Sequence, residues 1–335
     1  MKKLLLLFVA LSVIACGEIG PKLIRNFNNG PALGTSYNIT YLSEEELDYQ
    51  TEIDSVFDAV NQSMSTYIKS SDIARINRGD TTVVVDQMFR EVFELSKEVY
   101  EKTNGYFDPT VGILVNAWGF GPGEQIPLDS AKVDSLLRFV GFDKVNLDNH
   151  NQVFKEFPEI QFDFNAVAKG YAIDRLAVLL DQKGIPDYLV EVGGEVVTKG
   201  ENRIRGKPWV VGIENPQTDG DNNLKALIRL KNRALASSGN YRKFRIDPIT
   251  GEKYVHTIDP KTGFTKNSKV LGANVIARTC ARADAYATAF MASALEESIQ
   301  VLSAEKGLQA YIIYLNDRGE TAEYMTTGFR ELIIE

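Results

Sequence analysis

Apolar residues recur at helical spacing in several stretches of the chain. Ile53, Val56, Phe57, Val60 and Met64 predict a helix over 47–64. Phe89, Val92, Phe93, Leu95 and Val99 predict a second over 86–103. Further helices are expected over 130–140, over 165–183 with Gly184 and Pro186 as stop signals, over an alanine-rich run at 281–295, and over 297–304. Period-two or continuous apolar runs predict strands at 34–41, 188–192, 209–213, 224–230, 269–277 and 308–314. Ile246-Asp247-Pro248-Ile249-Thr250-Gly251 is echoed by Ile258-Asp259-Pro260-Lys261-Thr262-Gly263; proline followed by a late glycine is turn chemistry. Helices and strands mix without strict βαβ alternation, which predicts an α+β fold of mixed sheets with packed helices.

The N-terminus breaks this pattern. Met1-Lys2-Lys3 precedes an apolar run that ends at Val13-Ile14-Ala15-Cys16. The run is too short for a membrane span and reads as a signal peptide over 1–15. A cysteine at its end resembles a bacterial lipobox, so Cys16 is the expected lipidation site of an exported, membrane-anchored lipoprotein facing the periplasm. An ordinary secretory signal with an incidental cysteine is the alternative. Gly17, Gly20, Pro21, Asn28, Asn29 and Gly30 suggest a tether over 16–30, leaving one domain over 31–335. Losing 1–15 removes two lysines and no acids, which takes the formal charge from −8 to −10. With that balance and no basic block, nucleic acid is not an expected partner. His150 and His256 are the two histidines, too few for a multi-histidine zinc site. Cys280 would be the one thiol left, so no intramolecular disulfide is expected.

No GxxxxGK[ST] loop, strand–GxGxxG–helix or GxSxG elbow occurs. Asp284 and Thr288 lie four apart on one helix face among alanines. They are hard oxygen donors suited to Mg²⁺, or else a helix-start aspartate and an inward threonine bonded to its own backbone. Asp163 and Asn165 would cap the helix that carries Lys169, turning its amides toward an anion; a capped helix with a solvated lysine is the plainer alternative. His256 precedes a rigid turn, and His150 reads as a turn residue. Phe107 to Gly112, followed by Trp118-Gly119-Phe120-Gly121, suits a planar ring and equally suits a core.

In order along the chain, these segments resemble the ApbE family of FAD:protein FMN transferases. The resemblance rests on Gly34-Thr35-x-Tyr37, Met64-Ser65-Thr66-Tyr67 with Ser71-Asp72-Ile73, Phe107-Asp108-Pro109-Thr110-Val111-Gly112, Trp118-Gly119-Phe120-Gly121 and Ala168-Lys169-Gly170-Tyr171-Ala172-Ile173-Asp174. It continues through Gly193-Gly194, Ser237-Ser238-Gly239-Asn240-Tyr241, the His256 to Gly263 run and Ala283-Asp284-Ala285-x-Ala287-Thr288. It implies a T-fold-related architecture, with FAD as the substrate. FMN would pass to a threonine or serine hydroxyl of a partner protein, and AMP would leave. The implied acceptors are flavin-bearing subunits of Nqr-type sodium-pumping NADH:quinone reductases and of Rnf complexes. The resemblance also implies Mg²⁺ on Asp284, Thr288 and the carbonyl of Ala166. It implies an FAD site of Leu33, Tyr67, Asp108, Pro109, Thr110, Asp163, Lys169 and Ile258. Leu33 stands where the family often has methionine, which keeps an apolar contact. His256 is expected to move the acceptor's proton. Two other functions use the same residues: a Mg²⁺-dependent FAD pyrophosphatase, and a lipoprotein that stores FAD without turnover.

Overall fold

A computed structural model describes residues 22–215, 224–239, 244–246, 253–255, 257–265 and 269–334. In chain order these form β1 (Ile24–Ala32), β2 (Thr35–Ser43), α1 (Gln50–Met64), α2 (Asp72–Asn77), α3 (Gln87–Lys102), α4 (Gly112–Ala117), α5 (Ser130–Leu137), β3 (Val145–Leu147) and β4 (Val153–Lys155). Next come α6 (Asn165–Gln182), β5 (Asp187–Val192), β6 (Glu195–Lys199), β7 (Trp209–Glu214), β8 (Leu224–Leu230), β9 (Ala234–Gly239), β10 (Phe244–Ile246) and β11 (Lys253–Val255). The chain closes with β12 (Val270–Ala277), α7 (Cys280–Ala292), α8 (Leu295–Ala304), β13 (Gln309–Leu315), β14 (Thr321–Met325) and α9 (Thr327–Arg330).

Eight strands pair in the order β1-β2-β5-β6-β9-β12-β13-β14, antiparallel throughout. The central strands sort their residues by face. Ala234, Ala236, Ala273, Val275, Ala277, Ala310 and Ile312 belong to the main core, on the side covered by α6 and α7. Leu235, Ile276, Tyr311 and Ile313 point the other way, into a second core roofed by the β7–β8 ribbon and Phe329. Small residues on the sheet meet an alanine-rich helix, so α7 lies close to β9 and β12. The α+β expectation holds.

The tether reading of 16–30 is corrected over residues 24–30. Ile24–Ala32 is an edge strand in register with β2, from Ile24 opposite Ser43 to Ala32 opposite Thr35. Its inward positions are Asn26 and Asn28, whose amides donate to Ser43 Oγ (2.6 Å) and Asp48 Oδ1 (2.7 Å). Polar residues facing inward erase the alternation that marks a strand. Cys16 lies outside the described residues.

Candidate active site

Gly170 sets the distance between α6 and α7. A Cβ there would stand 2.5 Å from the Cys280 carbonyl oxygen, so glycine alone permits this approach. The contact brings the Gly170 N–H to Asp284 Oδ2 at 3.1 Å. One turn further along α6, Asp174 accepts from Cys280 N (2.7 Å) and Ala281 N (2.8 Å), capping α7 from a neighbouring helix. Lys169 Nζ pairs with Glu195 Oε2 at 2.8 Å. Glu195 follows the Gly193-Gly194 turn, whose φ values of 60° and 100° suit a tight hairpin. Leu33-Gly34 makes the matching β1–β2 turn at φ 50° and 76°. Tyr37 opposite Val192 places both turns at one end of the sheet, and Gly193 N donates to Ser36 O at 3.0 Å. Leu33, Glu195, Lys169 and Asp284 therefore share that end.

Two buried carboxylates, Glu195 and Asp284, act on the one ammonium there. Burial, then the Glu195 carboxylate, pushes Asp284 up to about 8, against Lys169 and the Gly170 N–H. Burial takes Asp174 to about 6. Burial works against the Lys169 ammonium, but Glu195 and Asp284 outweigh it and raise its pKa. Thr288 is half-buried one turn after Asp284, and Ala166 is half-buried in the first turn of α6. Among the described residues no three His, Cys, Asp or Glu side chains form a metal cage. The donors are one carboxylate, one hydroxyl and backbone carbonyls. Hard oxygen donors of this kind would suit Mg²⁺.

A second group lies at the start of α6. Asp108 Oδ1 accepts from Thr110 N (2.8 Å) and Thr110 Oγ1 (2.6 Å), while Thr110 Oγ1 accepts from Gly141 N (2.7 Å). Pro109 O accepts from Asp163 N at 2.7 Å. Burial raises Asp108 to about 6 and also raises Asp163. Burial and the nearby Asp163 carboxylate raise the Tyr67 phenol, although the Tyr67 ring is 61% exposed. Tyr67, Asp163 and the 108–110 loop thus come together. Asp163 precedes α6, and Lys169 lies within its second turn.

The capping expectation is corrected. Phe164 takes the N-cap position of α6 and makes no side-chain cap bond. Asp163 Oδ1 instead accepts from Asn165 N at 2.8 Å, closing a local turn, and Asn165 is the first helical residue.

Ile258 packs with Leu114 and Val140 on α4 and the loop after α5. Its turn forms as expected: Gly263 N donates to Asp259 O (2.8 Å) with φ 74°, and Lys261 N donates to Asp259 Oδ1 (2.9 Å). Lys261 Nζ sits 3.9 Å above the Tyr106 ring, which ties this turn to the 108–110 loop. His256 lies outside the described residues. His150 sits in a turn with its N–H on Asp148 Oδ1 (2.8 Å). Glu195 and Asp174 were not expected as site residues; their partners are distant in sequence. A cavity of about 500 Å³ opens elsewhere, beside β1, lined by Asn26, Asn28, Asp48 and Gln50.

An antiparallel sheet with paired helices on one face, and with hairpin turns and buried carboxylates gathered at one end, defines an α+β protein. Residues 33–312 match the ApbE family model, and the chain belongs to the ApbE family. A Haemophilus influenzae FAD:protein FMN transferase is 34% identical over 97% of this chain and 95% of its own length. An Escherichia coli FAD:protein FMN transferase is 34% identical over 87% of this chain and 84% of its own. The flavin transferase ApbE of Vibrio cholerae superposes with a TM-score of 0.82 at 32% identity, covering 93% of this chain and 100% of that one. The Thermotoga maritima ApbE protein gives 0.80 at 27% identity, covering 93% and 100%.

Proposed function

We infer that this chain transfers FMN from FAD to an acceptor protein. A threonine or serine hydroxyl of the acceptor bonds to the FMN phosphorus, the pyrophosphate bond to AMP breaks, and AMP leaves. The observation that carries this reading is Asp284, buried at the α6–α7 joint with the Gly170 N–H on its Oδ2 and the Lys169–Glu195 pair beside it. Mg²⁺ held by Asp284, Thr288 and the Ala166 carbonyl would neutralise the pyrophosphate oxygens. Lys169 holds a phosphate from the same helix. Asp163 and the Asp108-Pro109-Thr110 loop orient the nucleotide, with Leu33 and Ile258 as apolar contacts. Tyr67 covers the bound ring and limits water. His256 takes the hydroxyl proton of the acceptor.

The family resemblance supports acceptors of the Nqr and Rnf type. The Cys16 lipobox supports an exported lipoprotein held at a membrane and facing the periplasm. Among the described residues no helix is long and apolar enough to cross a membrane.

Asp284→Asn tests the metal role. FMN transfer should fall at least ~10²-fold, the loss of several kcal/mol of charge stabilisation, while the fold survives. Wild-type turnover at limiting Mg²⁺ would place the metal elsewhere.

A further inference from the structure

Residues 160–164, which lead from β4 to α6, alternate in burial. Ile160, Phe162 and Phe164 are fully buried, while Gln161 and Asp163 are partly exposed. That period of two is an extended backbone, with both polar side chains leaving on one face. Apart from a single bridge between Gln161 and Val111, the segment pairs with no strand among the described residues. Its buried backbone groups therefore need other partners.

Asn77, the last residue of α2, supplies two of them. Its Nδ2 donates to the Phe162 carbonyl (2.8 Å) and its Oδ1 accepts from Phe162 N–H (2.7 Å). A carboxamide presents one donor and one acceptor side by side, so a single side chain replaces a neighbouring strand. Lys155 Nζ closes the start of the segment. It donates to the carbonyls of Ile160 (2.9 Å), Pro158 (2.9 Å) and Ile76 (3.0 Å), the last adjoining Asn77. On the opposite edge Gly112 N donates to Gln161 O (3.0 Å) and Asp163 N to Pro109 O (2.7 Å). The backbone before and at Asp163 is thus held from both sides.

We propose that Asn77 and Lys155 are positioning residues of the flavin-nucleotide site: they set the register of 160–164 so that Asp163 meets FAD alongside Tyr67 and the 108–110 loop. The proposal rests on the contact between Asp163 and FAD inferred for this site.

The test is a pair of double-mutant cycles in FAD affinity on the full chain, with thermal melting run in parallel. Asn77→Leu and Lys155→Met are made alone and together with Asp163→Asn. Asp163→Asn and Asn77→Leu should each weaken FAD binding about 10-fold, and Lys155→Met a little less. Added to Asp163→Asn, either change should cost less than about 2-fold more, while its effect on the melting midpoint stays the same in both backgrounds. Losses that multiply in full would show that these residues act on the fold at large, and would overturn the positioning role. If Asp163→Asn alone leaves FAD affinity unchanged, the Asp163 contact fails and the inference with it. Asn77→Leu strands two buried backbone groups; should it not fold, Lys155→Met, which keeps its aliphatic stem, completes the same cycle and separates the same two outcomes.

Discussion

Asp108 is buried, and its charge is held by the Thr110 N–H and hydroxyl rather than by a cation. Burial outweighs those bonds, so its pKa in the folded protein, about 6, lies above the ordinary 3.8. A raised carboxylate favours the fold while it is protonated. Its contribution is fully present below about pH 4 and is lost as the pH climbs through 6. The metal-free protein should lose stability relative to Asp108→Asn over that window, by on the order of 3 kcal/mol. Denaturant unfolding of both proteins at pH 4, 5, 6 and 7 measures the difference; a flat difference, or one of opposite sign, would refute the assignment. At this scale the sequence showed the types of residue more readily than their partners. Asp284 and Thr288 stood out by spacing and by the family motif. Nothing near Asp174 in the sequence marks its role, because the amides it caps lie 106 and 107 positions away. Glu195 was equally silent until the Gly193-Gly194 turn folded it onto Lys169.

The long amphipathic helices α1 and α3 were legible by their apolar stripes, whereas the short α2, α4 and α9 were not predicted. α1 buries Ile53, Phe57, Val60 and Met64, and α3 buries Phe89, Val92, Phe93 and Val99, the positions that spacing had marked. Strands with polar or small inward residues were not legible. β1 faces inward with asparagines, β6 opens on a buried glutamate, and β9 reads Ala-Leu-Ala-Ser-Ser-Gly. The joint between α6 and α7 makes the prediction proper to this scale. Gly170→Ala would gain helix propensity of about 1 kcal/mol, yet its methyl would meet backbone atoms of Cys280 and Ala281 at 2.5–2.8 Å. Spreading the helices should cost about 1–3 kcal/mol net and displace Asp284 from the Gly170 N–H. Paired melting and FMN-transfer assays should show both losses. A variant as stable and active as wild type would mean that the two helices can part without harm to the site.

Across the whole molecule, one antiparallel sheet carries an alanine-floored helix layer on one face and a ribbon on the other. The site gathers at the end where two hairpin turns meet the α6–α7 joint. The described edge strand begins at Ile24. An acyl group on Cys16 would leave seven residues between the lipid and that strand, and so hold the domain close to a bilayer. Intact mass of the membrane fraction should show a chain cleaved before Cys16 and acylated there; an unlipidated Cys16 or a different start would refute the anchor. The most direct measurement of FMN transfer mixes the protein, FAD, Mg²⁺ and a candidate acceptor domain of the Nqr or Rnf type, then follows the acceptor by in-gel flavin fluorescence and intact mass. The acceptor should gain one FMN on a threonine or serine, with AMP released in equal amount and the gain abolished by Asp284→Asn. Free FMN and AMP with an acceptor of unchanged mass would contradict transfer and make water the nucleophile.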